Sequence, residues 1–241
     1  MELCINMEHI EKLLQTYKGK KVILAFSGGV DSLILAILLS RVAKVKCVFI
    51  KTPYIHKYKE EDAKALAKKF NLDLEILYVD KIVENSKLRC YHCKKMFFSI
   101  LNKMKEELSY DLVVDGTHYD DLFEDRPGLK ALEELNISSP FAEFKVRKGD
   151  ILKLAKDLNI NIPKETCLLT RFDRDVDEKE LRKVEALEEF LRKFLKGSIR
   201  LRDRGDKAIL EIEDIKNFEH NREVILSELR KYYDDILVIK K

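Results

Sequence analysis

Val22-Ile23-Leu24-Ala25-Phe26-Ser27-Gly28-Gly29-Val30-Asp31-Ser32 is the stretch on which the fold turns. Its first five residues read as a short buried strand, and Leu33 to Leu39 reads as an apolar helix. Two adjacent glycines, in a chain that has only 8, mark the break between them. A strand that stops at glycine and restarts as a helix leaves backbone N–H groups without acceptors at the helix start, and such groups attract phosphate. An ordinary strand-to-helix turn with an Asp-Ser cap is the plainer alternative. The serine before the glycines, the Asp-Ser pair after them and the flanking strand and helix favour a nucleotide.

Outward from this loop the pattern repeats. Apolar runs at 22–26, 45–50, 74–79, 112–114 and 137–141 alternate with amphipathic stretches that begin near Asp31, Tyr58, Cys93, Pro127 and Gly149. Alternation of this kind predicts an α/β fold, an open parallel sheet with helices on both faces and right-handed crossovers. Ligands of such sheets sit at the carboxyl ends of the strands. Near Pro163 the pattern changes to a long charged helix (177–195), two strands (198–202 and 208–212) around Asp203-Arg204-Gly205-Asp206-Lys207, a last helix (223–231) and a last strand (236–239). The expected organisation is therefore a nucleotide domain over 1–165 and a small α+β C-terminal domain over 166–241.

Composition bounds the rest. The chain has 241 residues, with 46 basic and 43 acidic side chains and a net charge of +3, so the total carries no argument for stable nucleic-acid binding. No apolar stretch is long enough to cross a bilayer, and the cytoplasm is the expected compartment. The five cysteines then read as thiols or ligands rather than a disulfide framework. Cys47 lies in a core-like run, and Cys4 near the start has no evident role. Cys90 and Cys93 form a C-x2-C pair that leads into a helix, and Cys167 follows the fifth βα unit. A lone C-x2-C is compatible with redox chemistry, half a zinc site or chance. Three thiolates with one open position suit an iron–sulfur cluster, or Zn²⁺ with His92 as a fourth ligand. Asp120 and Asp121, after the fourth strand, are suited to Mg²⁺ or ribose, or are simply a solvated acidic turn.

The loop resembles the signature of the PP-loop ATP pyrophosphatases, the adenine nucleotide alpha hydrolase-like fold that cleaves ATP between its α and β phosphates. The further order of "RCYHCK", "DGTHYDDLFEDRPG", "SPFAE", "CLLTR" and "IRLRDRGDKAILEI" resembles the LarE family of ATP-dependent sulfur transferases, which build the nickel-pincer nucleotide cofactor. The resemblance implies ATP and Mg²⁺ as cofactors, with Ser27, Gly28, Gly29, Asp31 and Ser32 on the phosphates and metal and Asp120 and Asp121 in the matching acidic turn. It implies Arg171 beside the chemistry, with Arg200, Arg202 and Glu211 where the phosphate of a pyridinium mononucleotide substrate and a metal are held. It further implies a [4Fe–4S] cluster on Cys90, Cys93 and Cys167, which is the three-cysteine version of the family. Sulfide or a sulfur-donor protein would be a partner, and the family forms homo-oligomers. A tRNA thiolase and a non-catalytic ATP sensor are the competing readings. This chain departs from the family at His118 and Tyr119, in the stretch after Arg171, and at Arg204 where a histidine is usual.

Overall fold

The computed structural model describes residues 7–163 and 165–241. They form two compact units. Unit 1 comprises residues up to Lys51, Lys57–Val79 and Lys87–Ile162; unit 2 comprises Thr52–His56, Asp80–Ser86 and Pro163–Lys241. The expected single boundary at 165/166 thus omits two short earlier segments that cluster with unit 2. Among the described residues no helix is long and apolar enough to cross a membrane.

Unit 1 is built on a four-stranded parallel sheet in the order β3-β2-β1-β4, with β1 at Lys21–Ala25, β2 at Lys44–Lys51, β3 at Asp73–Tyr78 and β4 at Leu112–Val114. Helices flank it: α1 (Met7–Tyr17), α2 (Val30–Leu39), α3 (Lys57–Phe70), α4 (Arg89–Glu107), α5 (Gly128–Glu134), α6 (Pro140–Glu143) and α7 (Lys148–Asp157). β1 is one of the two inner strands, and its Val22, Ile23 and Leu24 are fully buried, as a strand covered on both faces requires. Phe98, Leu101 and Met104 of α4 join Ile23, Val48, Ile50 and Val113 of the sheet, with Leu132 and Ile137, in one continuous core. Three helices stop at asparagine: Asn71, Asn136 and Asn159, after α3, α5 and α7, adopt φ of 51°, 51° and 52°. Asparagine tolerates that left-handed cap better than any residue except glycine.

The fifth expected strand is a correction. Within 137–141 only Ser138 pairs, as an isolated parallel bridge to Val114. Pro140 then starts α6, because a residue with fixed φ and no N–H fits the first helical position and cannot extend a ladder.

Unit 2 holds a three-stranded mixed sheet in the order β5-β6-β7: β5 (Ile199–Asp203) antiparallel to β6 (Lys207–Ile212), and β7 (Asp235–Lys240) parallel to β6. α8 (Glu178–Leu191), α9 (Ile215–His220) and α10 (Arg222–Leu229) complete it. α8 begins at a reciprocal cap in which Asp177 accepts from the Glu180 N–H at 2.9 Å and Glu180 from the Asp177 N–H at 3.1 Å. Its inner face carries Glu188, buried, which binds Arg171 through both oxygens at 2.7 and 3.0 Å and accepts the Leu201 N–H at 2.8 Å.

Glu165 joins the same cluster, 3.0 Å from Arg171 and 2.9 Å from Arg192. Burial opposes its charge, but Arg171 and the Thr166 N–H outweigh that and lower its carboxyl to about 2. A carboxyl near 4.3 when unfolded and near 2 when folded adds stability that is complete above about pH 4.3 and is lost as pH falls toward 2. Glu165→Gln is therefore expected to lower stability by about 2 kcal/mol at pH 7. Urea unfolding of both proteins from pH 7 to pH 2 should show that gap closing below pH 4.

Candidate active site

At the end of β1 the chain is still tied to the sheet by Phe26, whose N–H donates to the Val48 oxygen at 2.9 Å. It then leaves through Gly28 at φ +68°, a conformation that costs glycine nothing. Gly29 precedes α2, and no side chain caps that helix. Its first-turn N–H groups lack internal acceptors, as at every helix start, and face the loop. Two hydroxyls close the loop on itself. Ser32 Oγ accepts the Ser27 N–H at 3.2 Å, lies 3.0 Å from Ser27 Oγ and donates to the Gly29 oxygen at 3.1 Å. Ser27 Oγ in turn accepts the Gly29 N–H at 3.3 Å. The five loop residues anticipated from sequence, Ser27, Gly28, Gly29, Asp31 and Ser32, are thus one structure, a nest of N–H and O–H donors of the kind that cradles phosphate.

Two elements from elsewhere in unit 1 frame this nest. The turn after β4 comes closest: a Cβ added at Gly116 would stand 2.9 Å from the Ser32 nitrogen and 3.2 Å from the Asp31 carbonyl carbon, so only glycine fits there. Beside it Asp115, buried, gathers the Thr117 N–H at 3.1 Å, Thr117 Oγ1 at 2.6 Å, Ser139 Oγ at 2.7 Å and Lys94 Nζ at 3.2 Å. The second element is the start of α7. Lys148 Nζ donates to Asp31 Oδ1 at 2.5 Å, while the Lys148 backbone N–H donates to Asp120 Oδ2 at 2.7 Å. Lys148, Lys94, Asp115 and Gly116 were not singled out in the sequence.

The acidic pair divides. Asp120 is half-exposed and joined to Asp31 through Lys148. Asp121 is buried, accepts the His118 N–H at 3.1 Å and lies 2.8 Å from Arg126. The side chains around Asp31 fit a magnesium ion in their donor chemistry, since one or two carboxylates plus phosphate oxygens are its usual protein-side needs.

Cys90 and Cys93 both lie in the first turn of α4, which starts at Arg89 rather than near Cys93. Residues three apart share a helix face. Cys90 is exposed and Cys93 half-buried; Lys94, the next residue, carries the bond to Asp115. Cys167 belongs to unit 2, at the start of the 3₁₀ turn Leu168–Arg171. Among the described residues no group of three His, Cys, Asp or Glu side chains is gathered to hold a metal ion. The donor chemistry nonetheless fits iron and sulfide, because thiolates are the ligands such clusters take. Burial pushes the Cys47 thiol up to about 12, in keeping with a core residue. Cys4 lies outside the described residues.

In unit 2, Arg171 is fully buried, and its remaining donors bond Thr166 Oγ1 at 2.7 Å, Thr170 Oγ1 at 2.9 Å and Glu165 at 3.0 Å. With the two bonds to Glu188, all five of its N–H groups are engaged within the unit. Arg202 forks onto Glu211, with one N–H at 3.0 Å, and reaches the Thr170 oxygen at 2.9 Å. Arg200 stands opposite Glu211 in the β5–β6 register, and its buried Nε has no hydrogen-bond partner among the described residues. Arg200, Arg202 and Glu211 therefore share one face of the sheet.

Gly116→Ala is expected to displace the Ser32 N–H and weaken binding of a nucleoside triphosphate by about 1–3 kcal/mol, roughly ten- to hundredfold. Titration calorimetry checks this, and substitution at the open Gly149, where a Cβ meets nothing, serves as the silent control.

Comparison with known proteins adds to this geometry. A family model described as a PP-loop domain matches residues 4–126, which include the nest, the C-x2-C pair and the turn after β4. An uncharacterized protein of Methanocaldococcus jannaschii is 55% identical over 91% of this chain and 89% of its own length. The pyridinium-3,5-bisthiocarboxylic acid mononucleotide synthase of Lactiplantibacillus plantarum is 29% identical over 82% of this chain and 76% of its own. A glutamine-hydrolyzing GMP synthase of Borrelia garinii subsp. bavariensis is 30% identical over 66% of this chain, which spans only 34% of that enzyme. A glycine-lined nest at the end of a parallel strand, closed by two serines, and a family match that covers it make this chain a member of the PP-loop family, LarE-like over most of its length.

Proposed function

We propose that this protein is an ATP-dependent sulfur transferase acting on a carboxylate of a pyridinium biscarboxylate mononucleotide. Unit 1 serves as the ATP pyrophosphatase unit and unit 2 carries substrate and sulfur-transfer residues. The observation that carries the reading is the physical link between Cys90 and Cys93 and the nucleotide nest. Lys94, adjacent to Cys93, bonds Asp115, and the neighbouring Gly116 rests on Ser32. A nucleotide sensor or an amidating PP-loop enzyme needs no thiol pair in that position.

A carboxylate resists substitution because its leaving group is oxide. In the proposed first step a carboxylate oxygen attacks the α-phosphorus of ATP, forming an acyl-adenylate and releasing pyrophosphate. The nest N–H groups, Ser27, Ser32 and Lys148 stabilise the charge on the departing phosphates, with Mg²⁺ at Asp31 and Asp120. In the second step sulfide attacks the acyl carbon and AMP departs, leaving a thiocarboxylate. Cys90, Cys93 and Cys167 are assigned as ligands of a [4Fe–4S] cluster, whose role when bound is to present that sulfide. Thiols in these roles need a reducing compartment, which supports a cytoplasmic setting.

Arg200 is assigned to the substrate phosphate, since its buried Nε has no bond among the described residues and its planar guanidinium suits a phosphate contact. Arg202 and Glu211 orient it from the same face. Arg171, with its five donors engaged, is a positioning residue that fixes the turn following Cys167 rather than a group that touches substrate.

The test uses oxygen-free protein with ATP, Mg²⁺, sulfide and the biscarboxylate nucleotide, reading pyrophosphate release and the product mass. Exchange of one oxygen for sulfur is expected. Cys90→Ala and Cys93→Ala should lose sulfur incorporation and about four irons per chain while keeping pyrophosphate release. Arg200→Ala should raise the substrate KM roughly tenfold or more. Sulfur found in bulk tRNA, with none in the nucleotide, would overturn the assignment in favour of a tRNA thiolase. No pyrophosphate release at all would favour a sensor.

A further inference from the structure

The sheet of unit 2 ends on an edge that nothing among the described residues covers. β7 pairs with β6 alone. The Asp235 N–H donates to the Asp206 oxygen and the Lys241 N–H to the Ile212 oxygen, so the odd-numbered residues turn their backbone groups toward β6. By the alternation of a parallel ladder, Ile236, Val238 and Lys240 turn theirs outward. The strand itself is Asp-Ile-Leu-Val-Ile-Lys, with no proline and with charges only at its ends. Leu237 and Ile239 are 55% and 41% exposed. They lie on the face that carries Lys207, Ile209 and Glu211, opposite the face that buries Ala208, Leu210 and Ile212. Proteins ordinarily protect such an edge with charge, proline or a bulge, because a bare apolar edge recruits another strand.

We propose that the recruited strand is β7 of a second copy of this chain, paired antiparallel about a two-fold axis at Val238 to make one six-stranded sheet. The ends of the strand select this partner and this register. With Val238 opposite itself, Leu237 faces Ile239 of the second copy, and Asp235 faces Lys241 of the second copy. Asp235 already stands 3.6 Å from Lys207, and Lys241 3.4 Å from Glu211. The pairing therefore extends each flank into an alternating row, Lys207, Asp235, then Lys241 and Glu211 of the second copy. A slip of two residues sets Asp235 against Ile239 or Leu237 against Lys241 and loses both charge pairs. A slip of one turns apolar side chains to the wrong face. The four apolar side chains, Leu237 and Ile239 from each copy, then cover one another across the seam, and the outward N–H and C=O groups of Ile236, Val238 and Lys240 find partners. The inference is independent of the catalytic reading.

Sedimentation of the 241-residue chain should give twice its 28.3 kDa mass or an even multiple of it. Val238→Pro removes only an outward donor, so it should halve that mass while the far-ultraviolet circular dichroism is unchanged. Leu237→Lys combined with Ile239→Lys should do the same, which guards against a proline effect on folding. Asp235→Lys and Lys241→Asp should each weaken association several-fold, and the double exchange should restore it, since like charges across a strand pair repel and opposite ones attract. A monomeric wild type, an assembly whose mass none of these variants changes, or charge reversals that do not rescue one another would overturn the proposal.

Discussion

The first turn of α2 imposes the constraint on which unit 1 depends. A helix that starts straight from a buried strand presents N–H groups that no protein atom can reach without filling the space in front of them. The chain leaves that space open and builds its rim instead. Ser27 and Ser32 close the nest from within, Gly116 lets the neighbouring strand end come so close that an added Cβ would stand 2.9 Å from the Ser32 nitrogen, and Lys148 brings a cation to Asp31. The serines come from the connection between β1 and α2, Gly116 from the turn after β4 and Lys148 from the start of α7, and the parallel order β3-β2-β1-β4, which sets β1 beside β4, brings the first two together. The site is thus a consequence of topology.

A second set of contacts carries that geometry to the thiols. Asp115 sits one residue before Gly116 and binds Lys94, one residue after Cys93. Gly128 packs on the same lysine, where an added Cβ would stand 2.9 Å from its Cδ, so the side chain is held over the strand end. Position of the cysteine turn and position of the nucleotide loop are therefore set by one buried carboxylate. In unit 2 another buried charge does the equivalent work: Glu188 binds Arg171 of the turn after Cys167 and the Leu201 N–H of β5 together. Burial drives the Glu188 carboxyl upward, and the bidentate arginine opposes it. Removing either partner strands a charge in the core, which is why such pairs are costly to break.

Local signals carried much of this. Adjacent glycines between an apolar strand and an apolar helix located the nest, and five strand-helix alternations pointed to a parallel sheet, of which four strands are present. The fifth failed because Pro140 turns an apolar run into a helix start, a preference that outranks hydrophobicity. α9 escaped notice because six residues are too short for a periodic pattern; only Asp214, which accepts the Asn217 N–H at 3.2 Å, marked its start. Lys148 and Lys94 are single lysines in a chain rich in them, and their partners lie 117 and 21 residues away. Long-range pairing of that kind leaves no trace in a local pattern. Arg171 was legible as an important residue, but its complete burial depends on α8, which no motif reports.

The central claim is that ATP activates a carboxylate rather than merely binding. It is tested most directly with substrate whose carboxylate oxygens are labelled with oxygen-18. Adenylation followed by sulfur attack must leave one labelled oxygen on the phosphate of the AMP released, and mass spectrometry of that AMP should find it. Unlabelled AMP, or ADP and inorganic phosphate in place of AMP and pyrophosphate, would contradict the account.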